Sequence, residues 1–260
     1  MANIETGRTG IKPEYVARVL DALGIDDRDD VNRGDLLERA RQSRQRPPNR
    51  VRRRNLTSQG FIAPVLRRLN DFEEEATERW DYSLNLIPPM LQTEDYARAV
   101  NRWFHQLEPR LSDKHVRLRL ARQRPLRRDE DDLGPLALWE IIGEAAVHTV
   151  VGSPEIMLAQ LEHIRDTVTE QSHLTFQLLT FAAGNSPFGS SNVVVMRHPL
   201  APLDMVYLEG TDGAGRIEDR EDEIERFRWA FEQTRALAES EDRSMVLLKR
   251  HIKSYKEMLW

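Results

Sequence analysis

Four short runs rich in β-branched and aromatic residues occur in the second half of the chain: LALWEIIGE, LTFQLLTF, NVVVMRH and DMVYLEG. Runs of this length and composition predict β-strands. The first two are almost continuously apolar, which is typical of strands covered on both faces. Between them, Ser153 and Pro154 predict the capped start of a helix.

Helical spacing of apolar residues extends over most of the remaining chain. It predicts a helix after Pro13, a short one near residues 35–42, a long one over about 60–84 and another over 94–104. Ser112 is a predicted N-cap for the next helix, and two helices close the chain. The sequence therefore predicts an α+β fold, with a helical N-terminal segment followed by a small mixed β-sheet of about four strands packed with helices.

Composition excludes several classes of protein. The chain has 260 residues, enough for one large domain or for a small domain and a medium one. It has no cysteine, which excludes disulfides and thiolate metal sites and favours a reducing cytoplasm. No apolar run approaches the roughly 20 residues of a membrane span, and the start lacks a signal-peptide pattern. We therefore predict a cytoplasmic protein without a membrane partner.

Charge is distributed unevenly along the chain. Residues 1–54 carry thirteen Lys/Arg and nine Asp/Glu, a net +4, whereas the remainder carries twenty-five against thirty-four, a net −9. A basic head on an acidic body suits a nucleic-acid contact at one end, although a solvated linker would have a similar composition. The candidate phosphate contacts are Arg8, Arg50, Arg52, Arg53 and Arg54.

Several segments together resemble one family. They are IPPMLQTEDYARA, RLRLARQRPL, LWEIIGEAAVHTVVGSPEIMLAQLEHI, LTFQLLTFAAGNSPFG and VYLEG, in that order. The set resembles bacterial Xre-type helix-turn-helix regulators, common in actinobacteria, that carry a shared C-terminal domain of unknown function, also found in antitoxin-like regulators. The family usually has Pro-Gly where this chain has Pro88 and Pro89. Since proline cannot adopt positive φ, we expect that turn to be built differently.

The resemblance implies a domain organisation. NIETGRTG (Asn3–Gly10) is similar to the end of an Xre recognition helix and the turn after it. Residues 1–45 are then a remnant of the helix-turn-helix domain, 46–59 a basic linker and 60–260 an α+β sensor or interaction domain. We expect the DNA-reading helices to be missing from this chain, through a misplaced start, genuine loss or truncation. DNA is then a partner only if an upstream reader is restored.

The family also implies partners. Its members generally bind DNA as dimers, so we expect a homodimer, with a small protein partner or a small-molecule effector acting on the sensor domain. No cofactor is predicted, because the sequence has no GxGxxG, GxxxxGK[ST] or GxSxG motif.

The seven histidines are scattered, and no HExxH motif or close pair occurs. No metal site and no catalytic residue is therefore assigned. Glu144 and His148 become i,i+4 neighbours if their segment is helical, so they can share a hydrogen bond or a metal ion. A buried carboxylate that holds backbone amides explains Glu144 equally well.

The candidate residues of a ligand pocket combine aromatic, amide and ionisable side chains: Gln92, Tyr96, Gln123, Trp139, Glu144 and His148. The alternative is that they are core residues. Arg117, Arg119, Arg122 and Arg124 are predicted to pair with the acidic run 129–132 on the surface.

The resulting interpretation is the ligand-sensing or partner-binding domain of a transcription regulator. An enzyme repurposed from such a regulator is the alternative, with Glu144 and His148 near Trp139 as its site. A pure protein-interaction module is a third hypothesis, which predicts no thermal shift with small molecules.

Overall fold

The computed structural model describes residues 13–22, 37, 64–102, 109–129, 133–199, 204–210 and 215–259. In this part of the chain, one six-stranded mixed sheet is packed with helices, which confirms the predicted α+β class. The strands are β1 (Glu78–Ser83), β2 (Ala137–Gly143), β3 (Leu174–Leu179), β4 (Val193–Arg197), β5 (Met205–Leu208) and β6 (Arg216–Glu218).

The helices of the described residues connect and cover the strands. They are α1 (Pro13–Ala22), α2 (Pro64–Glu73), α3 (Glu94–Val100), α4 (Pro109–Ala121), α5 (Glu144–His148), α6 (Pro154–Glu170), α7 (Glu221–Leu237) and α8 (Glu241–Met258). Short 3₁₀ turns occupy Pro89–Leu91, Arg124–Arg127 and Phe181–Ala183. The predicted linker and most of the second predicted N-terminal helix lie outside the described residues.

The strand order is β3-β2-β1-β4-β5-β6. The first three strands are parallel, whereas β4, β5 and β6 each run antiparallel to the strand before them in that order. Parallel neighbours require crossover connections, and α3 with α4, then α5 with α6, lie on those connections. As predicted, β2 and β3 are buried strands.

Alternation along each strand divides the core between the two faces of the sheet. On one face, Leu138, Ile142, Phe176 and Leu178 pack with residues of α3, α6 and α8. On the other, Tyr82, Ile141, Val195 and Val206 pack against Ile224 and Phe231 of α7. Both faces are therefore covered, and the exposed residues of the described chain lie on the helices, in the connecting turns and loops and at strand ends.

Two strands were not predicted. The segment 78–83 was assigned to the long helix over 60–84, but α2 ends at Glu73 and β1 follows. The physical reason is that β1 buries polar residues, so its alternation resembled a charged helix face. β6 has only three residues, too few to give a periodic signal. Ser112 was also misassigned as a cap, because α4 begins at Pro109 and Ser112 is buried inside it.

Several local predictions are confirmed. Ser153 caps α6 by accepting a hydrogen bond from the backbone N–H of Ile156, and α1 begins at Pro13. The turn at Pro88–Pro89 is indeed built without positive φ. Pro88 has φ −64° and ψ 153°, and Pro89 opens a 3₁₀ turn.

Candidate functional site

The junction of β2 and α5 places the first functional side chain. Gly143 ends β2, and a Cβ built on it would lie 2.5 Å from the backbone oxygen of Leu84. This approach is closer than any side chain allows, so the junction requires glycine. The chain then turns directly into α5, which begins with Glu144.

Glu144 has two different environments for its two carboxylate oxygens. Oε2 accepts a 2.7 Å hydrogen bond from the backbone N–H of Phe181. The carboxylate therefore holds a backbone amide, as one of the alternatives predicted, but its side chain is partly exposed instead of buried. Oε1 lies 3.5 Å from Nε2 of His148, so the predicted i,i+4 relationship is also present. The first contact orients the carboxylate and leaves the second oxygen directed at the imidazole.

A third side chain joins this pair from the other end of the sequence. His251 lies on α8, and its ring is perpendicular to that of His148, with 4.5 Å between centroids. One ligand atom from each of Glu144, His148 and His251 lies within 4.8 Å of the other two. We call these three residues the Glu-His-His cluster. No local pattern in the sequence places His251 beside Glu144 and His148, because its approach depends on how α8 packs.

Packing between α5 and α8 fixes the cluster. The hydroxyl of Tyr255 donates toward the backbone oxygens of Val147 and His148, at 3.1 and 3.2 Å, and its ring is buried in the core. This side chain therefore ties the end of α5 to the helix that carries His251. Burial raises the pKa of Tyr255, which keeps its hydroxyl protonated as a donor.

The cluster is accessible at the surface. His148 is 54% exposed, and its ring stacks on Phe181, which is 65% exposed. Burial and the neighbouring His148 lower the pKa of His251, while Glu144 opposes that change. The carboxylate and the two imidazoles can bind a metal ion or transfer protons, and together with the solvent-exposed ring of Phe181 they can bind a small ligand.

Three of the six predicted pocket residues meet elsewhere, in a buried hydrogen-bonded group. Gln92 donates to the backbone oxygen of Ile87 at 2.6 Å, and the hydroxyl of Tyr96 accepts from the N–H of the same residue at 3.1 Å. Gln123 donates to the backbone oxygens of Pro89 and Gln92 at 2.9 and 2.8 Å. These side chains hold the turn before α3. Burial raises the pKa of Tyr96 to about 12.

Trp139 lies on the opposite face of the sheet. Its indole N–H donates to Gln177 at 2.9 Å, and the guanidinium of Arg235 lies 4.7 Å from the ring centroid. The six candidate residues thus lie in three separate places. Glu144 and His148 are the pair that a further ionisable side chain, His251, approaches.

A buried ionic network was missed by the sequence analysis. Arg79 donates to Asp81 at 3.0 and 2.8 Å and also binds Glu73. Arg122 donates to the same Glu73 at 2.8 and 2.5 Å. The acidic run 129–132, which was predicted to pair with the arginines of this region, lies mostly outside the described residues. Glu140 is fully buried beside them.

Protonation of Glu140 completes this network. Within the described residues, neither carboxyl oxygen of Glu140 nor Oδ1 of Asp81 has a hydrogen-bond partner. Burial and the nearby Asp81 raise the pKa of Glu140 well above its ordinary value, although Arg79 opposes this. A proton on Glu140 supplies a donor for Asp81 and leaves two arginines balancing two carboxylates. Burial acts to raise the pKa of Glu73, but the two arginines outweigh burial, and the pKa of Glu73 is lowered overall.

The remaining predicted contacts, Arg8, Arg50, Arg52, Arg53 and Arg54, lie outside the described residues. Among the described residues, no helix is both long enough and apolar enough to cross a membrane.

The protein is therefore an α+β domain whose surface carries the Glu-His-His cluster, and carboxylates and imidazoles are side chains that commonly bind metal ions. The chain belongs to the family described as Domain of unknown function (DUF5753), whose model matches residues 66–250, well over half of the chain. This agrees with the expected shared C-terminal domain. No curated protein and no solved structure matches the chain.

Proposed function

We propose that this chain is the sensing and interaction region of a helix-turn-helix transcription regulator. Two observations support the regulator role: membership in the DUF5753 family over residues 66–250, and the similarity of NIETGRTG to the end of an Xre recognition helix. The arginine-rich stretch 50–54 between them suits a segment that runs close to phosphates.

The sensing role is carried by a single observation, the surface position of the Glu-His-His cluster beside exposed Phe181. Gln92, Tyr96 and Gln123 are already engaged with backbone groups. The cluster, in contrast, presents ionisable and aromatic groups that solvent can reach. These groups are the kinds that bind a small-molecule or ionic effector.

The cluster also joins elements that are distant in sequence. Glu144 and His148 lie on α5, directly after β2. His251 belongs to α8, which packs on α6 and β3. An effector that contacts both α5 and α8 favours one relative position of these helices. By shifting that equilibrium it changes the DNA-binding state, provided that it prefers one state over the other. A homodimer in the cytoplasm, with or without a small protein partner, is part of this proposal.

Chromatin immunoprecipitation tests the regulator role in the cell. The chromosomal gene, together with any helix-turn-helix reader encoded upstream in the same frame, is fused to a C-terminal tag, and bound DNA is compared between wild type and a Phe181→Ala variant. We expect a small set of discrete promoter sites for both proteins, with transcription from those promoters altered in the variant. Phe181 is exposed, so its loss should leave folding intact.

An exposed aromatic residue away from the cluster provides the matched control. Trp229→Ala on α7 removes a comparably exposed ring, and we expect wild-type transcription from the same promoters. An absence of discrete sites for the wild type would refute the regulator role. Equal transcription in Phe181→Ala and wild type would refute sensing at this surface.

A further inference from the structure

We propose that the Glu-His-His cluster is a binding site for a divalent transition-metal ion of the zinc class. It would use two imidazole nitrogens and one carboxylate oxygen as protein ligands. This inference rests on the proposed function in one respect, because it makes the ion the effector of the sensing region. Binding itself is a property of the purified chain and is measured separately.

The spacing of the ligand atoms suits such an ion. Zinc binds nitrogen and oxygen at about 2.0–2.1 Å, which places tetrahedral ligands about 3.3 Å from one another. Oε1 of Glu144 and Nε2 of His148 are 3.5 Å apart, and all three ligand atoms lie within 4.8 Å of one another. The distances between the ligand atoms must therefore shorten by about 1.5 Å at most, which rotation of the half-exposed His148 imidazole can provide.

The surroundings orient the ligands without occupying them. The backbone N–H of Phe181 binds Oε2 of Glu144, so Oε1 is the oxygen turned toward His148. Tyr255 fixes the backbone of His148 relative to α8. Hydrogen bonds of this kind set ligand direction in metal sites and strengthen binding.

The donor set determines the chemical class of the ion. Two imidazoles favour Zn²⁺, Ni²⁺, Co²⁺ or Fe²⁺ over Ca²⁺ and Mg²⁺, which prefer oxygen ligands alone. Three protein ligands at an accessible surface leave a position for water, unlike the closed four-ligand sites that stabilise folds. An ion held in this way exchanges with solution, as an effector must.

Cobalt is the probe of choice because its visible absorbance reports ligand number and geometry. The 260-residue chain without a histidine tag is treated with chelator and titrated with Co²⁺, then with Zn²⁺ in competition. We expect one ion per chain and a Tm increase of roughly 5 °C or more at about 100 times the Kd.

Two variants test the ligands, and a third serves as the control. His251→Asn and Glu144→Gln should each weaken Co²⁺ binding at least about tenfold, and the glutamine keeps an oxygen for the N–H of Phe181. His163→Asn on α6 changes a histidine outside the cluster and should bind like wild type. The Tm of each metal-free variant shows that it is folded.

Failure takes a definite form. Equal binding by wild type and His251→Asn, or no one-to-one Co²⁺ complex at millimolar ion, overturns the metal site. If metal fails while promoter occupancy persists, the regulator stands with another effector. If metal binds while no promoter is occupied, the site stands and the regulator role falls.

Discussion

Asp81 and Glu140 lie directly opposite each other on the parallel strands β1 and β2, and both are buried in the middle of the sheet. Two charged carboxylates in that position would repel each other strongly, so the pair is stable when one holds a proton. Arg79 binds Asp81, and Glu140 has no cationic hydrogen-bond partner among the described residues. Glu140 is therefore the protonated member.

Glu140→Gln should make the protein more stable than wild type at neutral and alkaline pH. The pKa of Glu140 is raised in the folded protein, so its contribution to stability is complete below the unfolded pKa of about 4.3. That contribution decreases as the pH rises from the unfolded to the folded pKa. Glutamine is neutral throughout and avoids this decrease. Urea unfolding at several pH values measures the difference.

The control for this experiment is Glu170→Gln at the exposed end of α6. The advantage of Glu140→Gln should grow above about pH 4.5 and level off, whereas the Glu170→Gln curve should remain parallel to wild type. A wild type that gains stability relative to Glu140→Gln as the pH rises would show that Glu140 is ionised in the fold.

Arg79→Met should destabilise the protein by about 3–5 kcal/mol, because it leaves Asp81 and part of the charge on Glu73 uncompensated in the core. Methionine fills most of the volume, so the loss reports charge rather than a cavity. Urea unfolding at neutral pH measures it.

A second substitution tests the cause of that loss. Adding Asp81→Asn to Arg79→Met should restore part of the stability, because the uncompensated charge is removed. A double variant no more stable than Arg79→Met would place the effect in packing instead.

The sequence predicted the strands in which apolar residues form the greater part of the run, even where one buried polar residue such as Glu140 interrupts it. β2, β3, β4 and β5 and the Ser153 cap follow from apolar runs and capping chemistry alone. β1 did not, because Arg79 and Asp81 face inward, and their burial depends on Glu73 at the end of α2 and Arg122 in the turn after α4.

The candidate site shows the same division between local and long-range information. The relationship of Glu144 and His148 is a property of one helical turn, and it was predicted. His251 approaches them through the packing of α8 on α6 and β3, which no local pattern encodes. The split of Trp139 from Tyr96 likewise depends on which face of the sheet each residue covers.

Gly143→Ala should cost about 1–3 kcal/mol of stability, because the new Cβ meets a backbone oxygen that cannot rotate away. It should also weaken Co²⁺ binding, since β2 and α5 must separate from β1 and carry Glu144 with them. Urea unfolding and the cobalt titration measure the two effects.

Leu84→Ala distinguishes the two atoms involved in that clash. The built Cβ also lies 2.9 Å from Cδ1 of Leu84, a contact that alanine removes, whereas the clash with the backbone oxygen remains. The combination Gly143→Ala/Leu84→Ala should therefore stay destabilised relative to Leu84→Ala. Full recovery would assign the cost to the side chain.

The basic head gives a prediction about DNA. If the arginines of residues 50–54 contact phosphates, binding of the purified 260-residue chain is weak and falls steeply with salt, because each contact releases counterions. Replacing Arg50, Arg52, Arg53 and Arg54 by Gln should reduce the slope of log K against log salt by up to about 3 to 4.

The matched control replaces four surface arginines of the body, Arg98, Arg197, Arg216 and Arg226. Fluorescence anisotropy between about 50 and 200 mM salt measures both slopes. An equal reduction in the control would mean that DNA responds to total charge and that the head has no special role.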